Sequence, residues 1–339
     1  MIGFAIPGDL GSPTGGYAYA RRVMEEWAKR GNGCEVVPLS GAFPAPDAAA
    51  LEAAGAALAD APRPLLVDGL AYGAFPADLA ARAGAVVLLH HPLCDETGLS
   101  DARRERAFAI ERDALAHARH IVVTSPLTAR DLIGRFGVEA TRITVAEPGL
   151  DRADPAPLAG DPPQLMAVGS LTPRKGYRYL IEALATCADL PWTCAIYGAQ
   201  DMDPDEASRI SEAVDNAGLN ERIALHGPVS AAELSDAYRN ADAFVAPSLH
   251  EGYGMAVTEA MAHGLPVIAT RAGALPETAP VARLVPPADA DALAQALRAV
   301  LADAALRRRM GGESHALARS RPGWDETARR IAEAMGVEA

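Results

Sequence analysis

The order of segments along this chain constrains its fold more than any single motif does. Short apolar runs such as "MIGFAI" and "CEVVPL" alternate with amphipathic segments of helical length nearly throughout. In "YAYARRVMEEWAKRG" the apolar residues recur at helical spacing, and Gly31 is placed to cap the C-terminus of that helix. Strict alternation of strands and helices predicts parallel sheets joined by right-handed crossovers, and therefore an α/β fold.

The alternation is interrupted at the proline-rich segment "DRADPAPLAGDPPQ", which has little apolar content. We interpret residues 151–163 as a linker. It would join a Rossmann-like domain at 1–150 to a second one at 164–321. A chain of 339 residues is long enough for two such domains. Facing each other, they would bind a ligand in the cleft at the carboxyl ends of both sheets.

The composition argues against several classes of protein. A formal net charge of −13 does not suit a nucleic-acid partner, which requires a basic surface. The four cysteines are scattered without metal-ligand spacing, and we expect no metal. The sequence shows no signal peptide and no apolar run of about 18 residues, which predicts a soluble, cytoplasmic protein.

The segment "HEGYGMAVTEAMAHGLPVIAT" places two glutamates around a glycine-rich turn. A helix is predicted to begin near Gly254, where its free amides suit a phosphate. If the steps from Glu251 to Glu259 were all helical, the two residues would lie ~12 Å apart. That separation suits two acceptors for the hydroxyls of one extended ligand, and it is too large for a pair sharing a proton. The alternative is a favourable interaction of surface carboxylates with the helix dipole.

Two basic residues, Arg174 and Lys175, follow the first strand of the second domain in "TPRKG". A diphosphate leaving group needs positive charge to stabilise the charge that develops as its bond breaks. Arginine and lysine supply that charge as a planar fork and a point charge. The alternative interpretation is an ordinary solvated loop.

Taken together with "VGSLTPRKGYRYLIEAL", "GPVSAAELSDAYRNADAFVAPS" and "GALPE", these motifs resemble the retaining glycosyltransferases of family 4. The resemblance covers most of residues 164–280. It implies the GT-B fold, an α/β architecture of two Rossmann-like domains facing across a cleft. It also implies transfer of a sugar from a UDP- or GDP-linked donor to a hydroxyl, with retention of configuration and without a metal cofactor. The leaving phosphate itself would take the acceptor proton.

The resemblance assigns roles in the second domain residue by residue. Glu251 would contact the transferred sugar, Glu259 would hold the ribose hydroxyls, and Lys175 and Arg174 would bind the diphosphate. Backbone groups would complete the site, with the base read at Gly198 and Val229 and the diphosphate held at Gly254, Met255, Ala256 and Val257. The family usually has an arginine where this chain has Ser170, and we expect Arg174 to replace its charge.

In the first domain the resemblance points to Gly15 and Gly16, immediately before a helix, as a flexible loop over the donor phosphate. His90, at the end of the strand in "VVLLHHPLCDET", would contact the transferred sugar, and His91 remains an alternative. The neighbouring carboxylates, Asp95 and Glu96, are candidates for orienting the acceptor. A last helix at 322–336 would pack back onto this domain, with Trp324 in a packing role.

The acceptor is left open as a small molecule, a lipid or a saccharide. "DARRERAFAIERDALAHAR" carries five arginines, which leaves peripheral membrane contact open, although its acidic residues dilute the charge. An epimerase or phosphorylase on the same scaffold is an alternative. So is a non-catalytic protein that binds sugar nucleotides, an option that Ser170 keeps open. A dinucleotide oxidoreductase is disfavoured because no GxGxxG follows the first strand.

Overall fold

The computed structural model of this protein describes residues 1–96 and 98–337. The chain divides into two compact units. The first comprises Met1–Gly149 together with the segment that begins at Pro322, and the second comprises Leu150–Arg321. The predicted α/β architecture is confirmed, because each unit contains a parallel six-stranded sheet with helices between its strands.

The first unit alternates strands and helices from its first residues. Its strands are β1 Ile2–Pro7, β2 Cys34–Leu39, β3 Leu65–Asp68, β4 Val86–Leu89, β5 His120–Val123 and β6 Ile143–Val145. Its helices are α1 Gly15–Lys29, α2 Ala48–Asp60, α3 Gly69–Tyr72, α4 Ala77–Ala83, α5 Asp101–Ala116, α6 Pro126–Gly134 and, from the C-terminal segment, α14 Trp324–Met335. Short 3₁₀ turns lie at Leu93–Asp95 and Ala140–Arg142.

The second unit repeats this pattern. Its strands are β7 Gln164–Val168, β8 Thr193–Tyr197, β9 Ile223–His226, β10 Ala243–Ala246, β11 Val267–Thr270 and β12 Arg283–Val285. Its helices are α7 Tyr177–Thr186, α8 Pro204–Asn216, α9 Ala231–Asn240, α10 Met255–Ala262, α11 Leu275–Thr278, α12 Ala290–Ala302 and α13 Ala304–Arg319, with a 3₁₀ turn at Pro173–Lys175.

The strand orders locate the point in each sheet where a ligand is expected. The first sheet runs β2-β1-β3-β4-β5-β6, so the chain changes direction across the sheet between β1 and β3. The second runs β12-β11-β10-β7-β8-β9, with the change between β7 and β10. In open parallel sheets such a reversal leaves a crevice beyond the carboxyl ends of the two strands.

Buried apolar strands hold each unit together. Strands β4 and β5 are wholly or almost wholly buried, as are β10 and β11, because helices cover both faces of a parallel sheet. Local signals set the helix starts, since α2 and α6 each begin at a side-chain cap, Asp47 and Ser125. Helix α14 packs against α1, where the Trp27 indole N–H donates to the Ala328 carbonyl at 3.0 Å.

The proline-rich segment 151–163, predicted as a linker, is fastened to the second unit. The Asp242 carboxylate accepts the backbone N–H of Gly160 at 2.9 Å and that of Gln164 at 2.8 Å. The N–H of Ala156 donates to the His263 carbonyl at 2.7 Å. Backbone hydrogen bonds, and not a flexible composition, therefore set the course of this segment.

Candidate functional site

The second unit gathers polar side chains at its point of strand reversal. The loop after β7 carries Arg174 and Lys175, and the loop after β10 carries Ser248 and Glu251. Because β7 and β10 are neighbours in the sheet, their carboxyl ends bring these two loops together. The backbone joins them as well, since the Leu249 N–H donates to the Arg174 carbonyl at 2.7 Å.

Glu251 is the centre of an ion-pair cluster. Its Oε1 lies 2.7 Å from the Lys175 Nζ and accepts the Ser248 hydroxyl, also at 2.7 Å. Its Oε2 lies 3.3 Å from the Arg174 Nη1, which also donates to the His250 carbonyl at 2.9 Å. The cluster has two cations and one carboxylate, which leaves a net positive charge.

The electrostatics of Glu251 follow from these partners. Burial by itself raises a carboxylate pKa, but the charges of Lys175 and Arg174, helped by hydrogen bonds from Lys175 and Ser248, lower that of Glu251 to about 2. The carboxylate is therefore ionised at neutral pH and holds both cations in place. The expectation that it also contacts the transferred sugar stays a prediction.

Two glycines let the backbone approach this cluster closely. Gly273 has a φ of +55°, and a Cβ on it would lie 2.1 Å from the Glu251 carbonyl oxygen. Gly176 has a φ of +66°, and its Cβ would lie 2.2 Å from the Pro247 carbonyl oxygen. Side chains at these positions would displace the loops that carry Glu251 and Lys175.

Helix α10 begins where the sequence predicts. Gly254 adopts a left-handed conformation, with a φ of 98°, at the N-cap, and no side chain caps the helix. The first amides of a helix have no acceptor within it, so those of Met255 and Ala256 are suited to an anion. The Val257 N–H donates to the Gly254 carbonyl at 3.0 Å, and its predicted contact with the diphosphate stays a prediction. The left-handed turn at Gly254 directs that carbonyl at the helix start.

Glu259 lies in the second turn of α10 and is held by a neighbouring helix. The Tyr238 hydroxyl, from α9, donates to its Oε2 at 3.0 Å. Burial, the Glu259 charge and this hydrogen bond raise the pKa of Tyr238 well above its ordinary value, so the phenol remains a donor. This contact fixes the carboxylate, as a residue that holds ribose hydroxyls would require.

The two backbone positions predicted to read the base lie at the ends of neighbouring strands. Gly198 follows β8 and touches the end of β7, since a Cβ on it would lie 2.1 Å from the Gly169 carbonyl oxygen. Val229 lies after β9, directly before the Ser230 capping box that begins α9. Their strands are paired, so both positions share one edge of the sheet.

In the first unit His90 follows β4 and packs against the start of α1. A Cβ on Gly16 would lie 3.3 Å from the His90 Cδ2, and the Tyr19 ring meets the imidazole edge-on at 5.3 Å. The His90 Nε2 is buried without a hydrogen-bond partner among the described residues. Burial, with a smaller effect of the His91 charge, lowers the pKa of His90 to about 4, so the ring is neutral.

The glycine pair itself lies differently from expectation. Gly15 and Gly16 are the first two residues of α1, not a loop before it. The reason is Thr14, whose side chain accepts the Tyr17 N–H at 3.4 Å and starts the helix one residue ahead of the glycines. Gly16 nevertheless serves the site, because its missing side chain leaves room for His90.

The residues after His90 are engaged with one another. The His91 Nε2 lies 2.6 Å from the Glu96 Oε1, and Asp95 forms a 2.8 Å ion pair with Arg135. His91 is thus directed at a carboxylate, whereas the His90 ring keeps a buried nitrogen unused. This difference favours His90 of the two alternatives.

Sequence reasoning missed three residues of these sites. Ser248 and Tyr238 orient Glu251 and Glu259, and the signal for Ser248 was its position three residues before Glu251. Tyr238 gave no signal, because a tyrosine within an amphipathic helix is ordinary. Asp68 ends the buried strand β3 at the reversal point of the first sheet, and a carboxylate closing the apolar run "PLLVD" was a usable signal.

The described residues contain neither a candidate metal centre nor a helix suited to cross a membrane. No three His, Cys, Asp or Glu side chains in residues 1–96 and 98–337 gather closely enough to hold a metal ion. Over the same residues, no helix combines the length and apolar character needed to cross a membrane.

Comparison with protein families gives two matches that together cover most of the chain. The model described as "Glycosyl transferase 4-like domain" matches residues 12–149. The model described as "Glycosyl transferases group 1" matches residues 152–315. Their boundary falls at the junction of the two units.

Curated relatives match over part of their length. The D-inositol 3-phosphate glycosyltransferase of Xylanimonas cellulosilytica is 30% identical over 239 residues, which are 64% of this chain and 57% of that protein. The mannosylfructose-phosphate synthase of Agrobacterium fabrum is 30% identical over 173 residues, 46% of this chain and 38% of that protein. The chain thus spans between about two fifths and three fifths of the relatives it matches here.

Solved structures match over nearly the whole chain. The sucrose-phosphate synthase of Thermosynechococcus elongatus has a TM-score of 0.81 at 22% identity, covering 98% of this chain and 97% of that one. HepE of Anabaena, in complex with UDP-glucose, has a TM-score of 0.77 at 18% identity and 99% coverage of both chains. At these identities the likeness shows a shared fold.

Proposed function

This chain belongs to glycosyltransferase family 4 and has the GT-B fold, and on that premise we propose that it transfers a sugar from a nucleoside-diphosphate sugar to an acceptor hydroxyl. Donor binding is assigned to the second unit and acceptor binding to the first. The transfer retains the anomeric configuration and needs no metal cofactor.

The observation that carries this proposal is the cluster of Lys175, Arg174 and Glu251. As the glycosidic bond breaks, negative charge develops on the leaving diphosphate. The cluster has a net positive charge, and its Glu251 lies three residues before Gly254, the N-cap of α10. The cluster supplies fixed charges for that anion, and the start of α10, which no side chain caps, supplies amides. Two cations held by a buried carboxylate are already oriented, so little reorganisation accompanies the reaction.

The electrostatics of Glu251 support retention. A carboxylate whose pKa is about 2 is a weak base and an unsuitable acceptor for a hydroxyl proton at neutral pH. We therefore assign the proton to the leaving diphosphate. The bond between the anomeric carbon and the phosphate oxygen breaks, the bond to the acceptor oxygen forms on the same face, and the acceptor proton passes to the diphosphate oxygen.

The other site residues take supporting roles. Glu259, fixed by Tyr238, accepts hydrogen bonds from the ribose. The neutral His90 imidazole presents its unused nitrogen to the transferred sugar. Arg174 supplies the charge that a family arginine would provide at Ser170. The HepE complex with UDP-glucose supports a UDP-linked donor, and a GDP-linked donor is the alternative.

A thermal-shift screen of UDP-, GDP- and ADP-sugars tests donor binding. We expect one class to raise Tm, Glu259→Ala and Arg174→Ala to abolish that shift, and Ser170→Ala to leave it intact. Persistence of the shift in both site variants would contradict the site assignment. Donor binding without release of nucleoside diphosphate, for any acceptor tried, would instead favour a non-catalytic sugar-nucleotide protein.

Activity assays test the remaining parts of the proposal. Release of nucleoside diphosphate should depend on an acceptor, which separates a transferase from an epimerase. The product should keep the donor's anomeric configuration by NMR. Activity should survive excess EDTA, and complete loss that is restored by Mg²⁺ or Mn²⁺ would contradict metal independence.

A further inference from the structure

Asp68 is a buried carboxylate that the roles above do not use. It ends β3 beside β1, at the reversal point of the first sheet, and is 5% exposed. Its Oδ1 accepts the Leu70 N–H at 2.8 Å, and no described residue donates to its Oδ2. A nine-tenths buried carboxylate normally has its acceptor positions filled. Oδ2 is not one of the fully buried atoms that lack a partner, so it is open at this reversal point and can accept a hydrogen bond from a bound ligand.

The charges around Asp68 identify the kind of donor. Burial raises its pKa to about 6, opposed by the Leu70 hydrogen bond and the His91 charge. The hydroxyl of Tyr17 donates to the Pro7 carbonyl at 2.6 Å, and burial, followed by the charges of Asp68 and Asp9, raises the pKa of that phenol. This corner of the sheet is thus rich in acceptors, with negative charge.

The neighbouring strand positions His90, which is assigned above to the transferred sugar. Strand β4 pairs with β3, with Leu88 opposite Asp68, and His90 follows two residues later. Its neutral imidazole has a buried Nε2 without a partner among the described residues. Asp68 thus ends the strand beside the one that positions His90, where a hydroxyl group of the acceptor has to approach the transferred sugar.

Three arginines of the first unit are engaged with other protein groups. Arg21 donates to the Leu10 carbonyl, Arg104 donates to the Cys94 carbonyl at 2.5 Å, and Arg135 is paired with carboxylates. Among the described residues none of these guanidinium groups donates to Asp68. A phosphate ester bound here would face carboxylates without a dedicated cation, which disfavours it.

We propose that Asp68 binds the acceptor, accepting a hydrogen bond from a hydroxyl or ammonium group, and that the acceptor is a polyol or amino sugar without a phosphate at that position. The inference rests on the proposed function and assigns its acceptor class. Asp68 is thereby a specificity residue of the first unit, and the Asp68 contact selects against anionic acceptors.

Three probes with one carbon skeleton test the charge preference, namely glucose, glucosamine and glucose 6-phosphate. With the wild-type protein and the donor from the screen, we expect kcat/KM to fall in the order glucosamine, glucose, glucose 6-phosphate. Asp68→Asn should raise the KM for glucosamine about tenfold, as expected on losing a charge-assisted hydrogen bond, with a smaller change in kcat. It should also raise the ratio of glucose 6-phosphate to glucose turnover.

Asp47→Asn is the matched control. Asp47 also caps a helix of the first unit through a 2.8 Å hydrogen bond to a backbone N–H, but it is exposed and lies before α2. If loss of a cap explained the Asp68 result, both variants would alter acceptor KM alike. A merely structural role for Asp68 would lower Tm without changing the ratio among the three probes.

The inference is overturned if the wild type prefers glucose 6-phosphate, or if Asp68→Asn changes all three probes by the same factor. If the proposed function itself is wrong, the protein will show neither donor binding nor turnover. In that case saturation-transfer NMR with the three probes still tests whether Asp68 binds a ligand. Glucosamine binding that Asp68→Asn abolishes supports the Asp68 site, and no binding of any probe refutes it.

Discussion

Three buried carboxylates, one in the second unit and two in the first, are treated in opposite ways. In the second unit Glu251 is buried beside Lys175 and Arg174, and its pKa is lowered to about 2. In the first unit Asp68 and Glu111 are buried without a directly paired cation among the described residues, and their pKa values are raised to about 6 and about 8. Burial raises the pKa in all three, so the difference lies in the cations placed against the carboxylate.

This difference indicates what each unit is suited to bind. In the second unit two oriented cations outnumber the one carboxylate beside them, so the net positive charge suits an anionic ligand. Carboxylates without a cation, as in the first unit, favour a ligand that donates hydrogen bonds and carries no negative charge. The donor and acceptor assignments proposed above follow this division.

The largest effect is expected from removing one cation of the second unit. Lys175→Met keeps the apolar stem and deletes the charge beside Glu251. We expect kcat to fall by about 10²–10³-fold, as when one preorganised charge-stabilising group is lost. Unfolding should become easier by about 3 kcal/mol, because the buried Glu251 would keep the Ser248 hydrogen bond but only the longer ion pair, to Arg174.

Lys29→Met is the matched control for this variant. Lys29 lies 2.6 Å from Glu26, a distance close to the 2.7 Å of Lys175 to Glu251, but its side chain is 64% exposed against 18% for Lys175. A surface pair of this kind contributes about 0–1 kcal/mol, and activity should not change. Equal effects of the two variants in kinetics and urea unfolding would mean that burial of the cluster is irrelevant.

The sequence predicts the fold well because a parallel α/β chain is patterned at every step. Buried strands such as "AVVLL" and amphipathic helices such as α1 and α8 are visible as runs and periods. Strand β6 was harder to predict, since it is three residues long and only half-buried. Segment 151–163 was read from composition alone, which cannot show that Asp242, far away in sequence, fastens it.

The candidate site was predictable where a local motif carries it. The cluster of Lys175 and Glu251 was indicated residue by residue, because both loops have a recognisable pattern. What the sequence could not show was the partner of each residue. The Glu251 carboxylate binds Lys175 across 76 positions, and Tyr238 reaches Glu259 from another helix. Such pairings depend on sheet order, which a linear pattern does not encode.

A smaller effect is expected from the glycine behind Glu251. Gly273→Ala forces a side chain into a left-handed residue and against the Glu251 carbonyl, and we expect a loss of roughly 3 kcal/mol with weaker donor binding. Gly218→Ala, at a φ of +66° with nothing within 4 Å, isolates the conformational part, about 1–2 kcal/mol. Equal urea midpoints for Gly273→Ala and Gly218→Ala would show that the loop carrying Glu251 moves aside without a cost in stability.

The smallest effect concerns pH and has opposite signs in the two units. Burial raises the pKa of Glu111 to about 8, although the Leu93 N–H donates to it at 2.9 Å. The folded state therefore holds this proton to higher pH than the unfolded state. The contribution of Glu111 to first-unit stability is fully present below pH 4.5 and is lost as pH rises towards 8. For Glu251, with its pKa lowered to about 2, the contribution is present above pH 4.5 and is lost towards pH 2.

Glu111→Gln makes this contrast measurable. The neutral amide cannot ionise, so the variant should match the wild type near pH 5 and exceed it by about 2 kcal/mol at pH 8. Trp27 and Trp324 report the first unit and Trp192 the second, so urea unfolding followed by fluorescence in a Trp192→Phe background isolates the relevant transition. A variant that tracks the wild type from pH 5 to 8 would show that Glu111 is already ionised in the folded protein. In the first unit only Asp68 would then support the contrast with Glu251. Burial without a directly paired cation would not have been sufficient to keep Glu111 protonated.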